Sequence, residues 1–309
     1  IYLNTELSVQ DIWERVYMDW AKAKTILIVV FTAINIFLGY MVFAAGTGGF
    51  GYVDSEKAKQ ITDYLAEKDI TVTGRIPGKK ADMPSIIVKY KLFSKEDVKG
   101  SFFTPGDVPE ESASENTVGL KGKNIEITIK NNRELYYSDS GIKPAGTTDE
   151  KACRKNIREF LSRLNITDNI DTGISEDIEG YKRFVFSQSF KGAEIYNSIM
   201  EFYVNDSGVH RARIVWFDTI RQAGKKTEVI SPLIALLYLI EHNKNSELPS
   251  KEVVEIRQGY YFGTGAREQV DVSEVVEGTA FPVWKIETDR DIIYINAYNE
   301  KVEGIEKRQ

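Results

Sequence analysis

The chain has 309 residues, 28% of them charged, and a net charge of −6 at pH 7. That acidic balance excludes nucleic acid as a partner, because phosphate backbones are gripped by basic stripes and none is visible. The one cysteine, Cys153, excludes an internal disulfide and fits a bacterial exported domain that does without such staples.

The chain opens on Ile1, and Met18 begins MDWAKAKTI further on, so Ile1 to Tyr17 reads as an upstream extension or the product of an alternative start. Residues 25–45 then carry no charge. At about 1.5 Å per residue, a helix of that length crosses a hydrocarbon core about 30 Å thick. A removable secretory signal normally has a shorter apolar region of roughly 7 to 15 residues, although Val42, Phe43 and Ala44 make a passable cleavage site. The expectation is therefore a retained anchor over 25–45. Lys22 and Lys24 directly precede it, whereas the next basic residues are Lys57 and Lys59. By the positive-inside rule, residues 1–24 form a cytoplasmic tail and the rest is extracytoplasmic, in a single-pass cell-membrane protein. Thr32, Asn35, Gly39, Val42 and Gly46 fall within about 40° of one line along this helix. Small residues let helices approach closely and an asparagine can hydrogen-bond across the contact, so this line is the candidate helix-interaction site.

GTGGFG, Gly46 to Gly51, has the letters of a dinucleotide fingerprint but lacks the preceding strand, so residues 46–53 read as a linker. A first module covers 54–143. Asp54 and Ser55 cap a helix with apolar positions Ala58, Ile61 and Leu65. Extended segments follow at Ile70–Ile76 and Pro84–Leu92, then a solvated loop over Pro105–Asn116 and an alternating strand through Ile125, Ile127 and Ile129, ending at an Asn131-Asn132 turn. Gly141–Thr148 is the boundary, and a second module covers 147–309. There a helix over Asp149–Leu164 precedes strands at Tyr181–Phe190, Ile195–Asn205 and Val209–Phe217, joined by turns at Lys191-Gly192 and Asp206-Ser207-Gly208. Val229–Ile240, with Ser231 and Pro232 as cap and first position, is too short to span and reads as a buried helix. Strands follow around Val253–Phe262, Pro282–Glu287 and Asp291–Tyr298. The pattern predicts an α+β class: one N-terminal transmembrane helix and two helix-plus-antiparallel-sheet modules.

Catalytic chemistry is hard to find in this sequence. His210 lies in a strand pattern, and His242 ends the buried helix, where a cation complements the dipole. Neither has metal-ligand spacing, and the nucleophile-elbow and phosphate-loop motifs are missing. Asp168, Asp171, Glu176, Asp177 and Glu179 do not follow the EF-hand order and read as a solvated loop. Cys153 shares a helical face with Ile157, Phe160, Leu161 and Leu164, which predicts a core thiol. No catalytic residue, metal or cofactor is expected.

Met18 to Tyr40, MDWAKAKTILIVVFTAINIFLGY, resembles the opening of the YycI family, with its Met-Asp-Trp start, Lys-flanked anchor and the match at Asn35, Phe37 and Leu38. The resemblance recurs in IRQGYYFG (Ile256–Gly263) and FPVWKIETDRDIIYINAYNEKV (Phe281–Val302). The last segment is also similar to a PepSY-type strand hairpin, departing from it at Asn296-Ala297 and Asn299-Glu300. The YycI resemblance implies a non-enzymatic regulator in a Gram-positive bacterium. Such a protein pairs with a YycH-like protein and contacts the membrane helices of the sensor histidine kinase WalK (YycG), which controls cell-wall metabolism. The alternatives are a PepSY-like inhibitor of secreted peptidases and a tethered cell-wall enzyme.

Overall fold

The structure is a computed structural model, and it describes residues 23–32, 34–35, 55–78, 81–145, 148–167, 173–244, 246–247, 249–263 and 276–308. In chain order the elements begin with α1 (residues 23–32 and 34–35), α2 (Ser55–Ala66), β1 (Thr71–Val72), β2 (Met83–Tyr90), α3 (Lys95–Phe102), β3 (Glu110–Ser114) and β4 (Thr117–Lys121). They continue with β5 (Ile125–Lys130), β6 (Glu134–Asp139), α4 (Glu150–Arg163), β7 (Ile174–Ile178), β8 (Tyr181–Phe190), β9 (Ala193–Asn205) and β10 (Gly208–Val215). The last are β11 (Phe217–Thr227), α5 (Pro232–Lys244), β12 (Glu252–Tyr261), β13 (Glu277–Thr288), β14 (Asp291–Asn296) and β15 (Val302–Lys307). The fold is mixed α+β.

Among the described residues, 15 strands form one sheet, with the order β11, β2, β13, β12, β9, β10, β6, β5, β4, β3 and with β1, β7, β8, β14 and β15 as side branches. Most pairings are antiparallel, as expected, but β1 and β9 each pair with β12 in parallel, which corrects the purely antiparallel expectation. Two further expectations are corrected. The expected loop over Pro105–Asn116 contains β3, whose residues pair with β4 from Glu110↔Lys121 to Ser114↔Thr117. Glu176 and Asp177 lie in β7 rather than in a loop, paired with Arg183 and Lys182; Asp168 and Asp171 lie outside the described residues.

Local chemistry explains the elements. The Asp149 carboxylate accepts the Ala152 amide at 3.0 Å and starts α4, whose Cys153, Ile157, Phe160 and Leu161 recur at helical spacing and are buried. Ser94 does the same for α3, accepting the Asp97 amide at 3.1 Å. The Ser231 hydroxyl accepts the Leu233 amide at 3.2 Å at the start of α5. The β8–β9 turn needs left-handed backbone, which Lys191 (φ 51°) and Gly192 (φ 84°) supply.

Two apolar cores result. One gathers α3 and α4 with strands β4–β6 and β8–β10, centred on Phe160, Phe184, Phe202 and Trp216. The other gathers α2 and α5 with β2 and β12–β14, centred on Leu65, Tyr260, Trp284 and Ile295. Thus Leu65 and Ile86, early in the chain, pack with its last third. β9 enters both, with Ile195 in the second core and Met200, Phe202 and Val204 in the first.

Among the described residues no helix is long and apolar enough to cross a membrane. Residues 33 and 36–45 of the expected span lie outside the described set. The described part is helical and exposes Ile26, Leu27, Phe31 and Ile34.

Trp284 is fully buried and its Nε1 donates to the Ile230 carbonyl at 3.0 Å, tying the strand to the approach to α5. Trp284→Ala is expected to lower the unfolding free energy by about 3–5 kcal/mol in denaturant titration. A loss below about 1 kcal/mol would place the centre of this core elsewhere.

Candidate functional site

Away from the cores, five strands bring tyrosines and charged groups together on the opposite side of the sheet. Tyr196 (β9), Tyr261 (β12), Lys285 (β13), Tyr294 (β14) and Glu306 (β15) supply the cluster. Tyr261 and Tyr294 stack at 4.2 Å between ring centroids, and Tyr196 meets Tyr294 at 5.5 Å. Tyr196 and Tyr294 stand three strand spacings apart, about 14 Å in a flat sheet, so the sheet curls and its rings converge on the inside. Two glycines permit this convergence. A Cβ on Gly304 would lie 2.5 Å from the Tyr261 hydroxyl, and one on Gly259 would lie 2.6 Å from the Glu194 carbonyl, where β12 passes β9.

The polar groups of this face are partly paired. The Tyr294 hydroxyl donates to Glu306 Oε2 at 3.3 Å, Lys285 Nζ lies 3.3 Å from Glu287 Oε2 and 5.5 Å from the Tyr196 ring centroid, and Arg257 Nε pairs with Glu255 at 2.6 Å. The Tyr196 hydroxyl and Arg213 Nε are buried and have no hydrogen-bond partner among the described residues. Although much of Glu306 is exposed, its carboxyl end tucks beneath Tyr294, and burial raises its pKa against the opposing pull of Tyr294, Arg213 and Lys285. Burial also raises the Tyr196 and Tyr294 hydroxyls well above the ordinary phenol value and pushes Tyr261 up to about 12, with Glu306 adding to the last two. These tyrosines therefore stay neutral at physiological pH, as hydrogen-bonding tips on large apolar rings.

Among the described residues, the groups singled out from sequence lie apart from one another. Cys153 is buried, with its thiol 3.8 Å from the Val204 carbonyl, and burial pushes its pKa up to about 11, which removes the reactive thiolate. His210 Nδ1 lies 2.9 Å from the Asp139 carbonyl and its ring stacks on Tyr181. His242 Nε2 lies 3.6 Å from Asp291 Oδ2, and neither atom has a hydrogen-bond partner among the described residues; Lys307 holds the other oxygen of Asp291 at 2.7 Å. A groove of about 380 Å³ beside His242 runs between α5 and the edge formed by β14 and β15. Among the described residues no group of histidines, cysteines or carboxylates could hold a metal ion.

Of the expected helix-interaction line, Thr32 and Asn35 lie exposed on α1, three residues apart. Asn35 Nδ2 donates to the Phe31 carbonyl at 2.9 Å. Gly39, Val42 and Gly46 lie outside the described residues. The tyrosine face escapes sequence reading because its members are scattered from 196 to 306. The available local signal is a glycine inside a strand, at 259 and 304, marking close approach.

A raised phenol pKa favours the neutral folded form, so folding stability is full below the ordinary value near 10 and falls as pH rises through it. Tyrosinate absorbance of the folded chain is expected to lag behind that of the unfolded chain, with Tyr261 ionising near 12 and the more deeply buried Tyr196 and Tyr294 only with loss of the fold. Complete ionisation in one step with the fold intact would contradict the burial described.

No curated protein matches the chain. Among solved structures, an uncharacterized protein from Eubacterium rectale is similar at 12% identity and a TM-score of 0.45, over 81% of this chain and 99% of that one. The Bacillus megaterium YpeB C-terminal domain is similar at 15% identity and a TM-score of 0.34, over 71% and 99%. YycH from Bacillus subtilis is similar at 10% identity and a TM-score of 0.41, over 71% of this chain and 53% of that one. The model of the YycI protein family matches residues 52–298, a stretch that takes in α2 to α5 and every strand but β15, and the chain belongs to that family.

Proposed function

We propose that this protein is a membrane-anchored, non-enzymatic regulator that joins a YycH-like protein at a WalK/YycG-type sensor histidine kinase and adjusts signalling for cell-wall metabolism. The observation that carries this reading is the family match over residues 52–298. Three physical features support it. Residues 25–45 are uncharged and follow Lys22 and Lys24, so the N-terminus lies in the cytoplasm and the matched body outside. The described part of that run turns Ile26, Leu27 and Phe31 outward, and such apolar side chains need lipid or another helix around them. The buried Cys153 thiol and the isolated histidines suit recognition better than catalysis.

In this reading the anchor contacts the kinase helices along the line expected from the sequence, Thr32, Asn35, Gly39, Val42 and Gly46. The Phe31 carbonyl satisfies one N–H of Asn35 within the helix. Among the described residues the second N–H and the amide oxygen make no further bond, and a bond from them to a neighbouring helix is worth on the order of 1 kcal/mol in a membrane.

Asn35→Leu combined with Gly39→Ile is expected to lower detergent copurification of the full chain with the kinase by roughly fivefold or more, with membrane insertion unchanged. Undiminished copurification, together with normal kinase output when an unrelated anchor replaces residues 25–45, would reduce the helix to a tether.

A further inference from the structure

We propose that the cleft between α4 and the neighbouring ends of β5, β6 and β10 binds a free amino acid, held as a zwitterion by Arg163 on the helix and Asp139 on the sheet. Asn156, Glu159, Phe160 and Arg163 recur at i, i+3, i+4 and i+7 and so share the face of α4 that lines it. On the sheet side stand Tyr137 and Asp139, with Ile125, Ile142 and Val209 adding apolar surface. The cavity measures about 220 Å³, below the roughly 300–1,000 Å³ that takes drug-sized ligands, so its occupant is small.

Opposite charges lining one small cleft would ordinarily pair, and these two do not. Among the described residues Arg163 makes no ion pair; its guanidinium carbon lies 5.8 Å from the centre of the Phe102 ring. Glu159, one turn earlier, leans instead to Lys155 at 3.6 Å. Asp139 Oδ1 accepts the Gly141 amide at 2.8 Å, whereas Oδ2 has only the Tyr137 hydroxyl at 3.5 Å, too long for a strong bond. Tyr137 is buried, and both charges act on it: burial raises its pKa most, Asp139 raises it further and Arg163 opposes them. Thus a cation and an anion flank one hydroxyl without meeting. Asn156 Nδ2 donates to the Asn205 and Asp206 carbonyls at 2.8 and 3.2 Å, which pins α4 to the β9–β10 turn and leaves Oδ1 without a partner among the described residues. The sheet side is fixed as well, since the Tyr181 hydroxyl donates to the Ile142 carbonyl at 3.1 Å and Asn205 Nδ2 to the Lys143 carbonyl at 2.7 Å. A cleft built in advance keeps the ordering cost of binding low.

The charge pattern selects the ligand. A lone anion on Arg163 would face Asp139, and a lone cation on Asp139 would face Arg163, whereas a zwitterion satisfies both with charge-assisted hydrogen bonds. An α-amino acid carries its two charges on either side of a single carbon. Its side chain then meets Ile125, Ile142 and Val209, which favours aliphatic members. The site lies apart from the anchor line and does not depend on the kinase reading.

Ligand-observed nuclear magnetic resonance on the full chain in detergent tests this with glycine and with alanine and valine as both enantiomers. Saturable binding with a dissociation constant below about 10 mM is expected for at least one of them. Isobutylamine and isovalerate, which are valine without its carboxylate and without its ammonium, should each bind about tenfold more weakly than the better valine enantiomer. Arg163→Leu and Asp139→Asn should each weaken the amino acid by about tenfold while the melting temperature holds, and Arg163→Lys should lose less than Arg163→Leu. Should a variant fail to fold, the single-charge ligands still decide the matter on the unaltered chain. No saturable binding of any of these amino acids, a single-charge ligand as tight as its zwitterion, or an affinity that survives both substitutions overturns the proposal.

Discussion

The architecture depends on strands shared by two cores, β9 along its length and β10 at its end, where Ile214 lies in the first core and Val215 in the second. β9 runs for 13 residues, and between its pairs Ser187↔Ile199 and Gln188↔Ile195 the register jumps. Because adjacent residues of β8 face opposite sides, that jump returns Ile195 to the side that also carries Met200 and Phe202. Without the irregularity, Ile195 would point away from the second core. The bulge thus lets a continuous backbone ladder bury apolar side chains under α4 at one end and beneath the α2–α5 pair at the other.

The same region sets up the other side of the sheet. Just past Ile195, Tyr196 turns to the inside of the curl, and β12, brought alongside by the parallel contact Tyr260↔Ile195, delivers Tyr261. Gly259 admits the close approach of β12, and Gly304 leaves room for the Tyr261 ring. Burial keeps these phenols neutral inside the curl, whose rim carries Glu255, Arg257, Glu287 and Lys285.

What could be read from the sequence was local. The Asp149 cap and the period of Cys153, Ile157 and Phe160 located α4; Ser231-Pro232 located α5; Lys191-Gly192 and Asp206-Ser207-Gly208 located the turns on either side of β9. Ile86, Val88 and Tyr90 alternate and are buried as a half-buried strand requires, while Leu92 lies past the strand end and is exposed. The illegible parts lack a local apolar signal. β3 reads EESAS with every residue exposed, and β15 has Gly304 and Glu306 where alternation would be sought. Position in the sheet was also out of reach. β2 lies between β11 and β13, strands more than a hundred residues away in the chain, because the partners that cover Ile86 and Val88 are non-local. The tyrosine cluster has the same character, since nothing adjacent to Tyr196 in sequence announces Tyr294.

The central claim is that β9 makes the two cores one cooperative unit. Trp216 reports on the first core and Trp284 on the second, both nearly or fully buried. Fluorine-labelled tryptophan, followed by nuclear magnetic resonance through a denaturant titration of the full chain, separates these two signals from each other and from those of Trp13 and Trp20. The account predicts that both resonances move to their unfolded positions with one midpoint. Separate midpoints, with one core folded while the other is open, would contradict it.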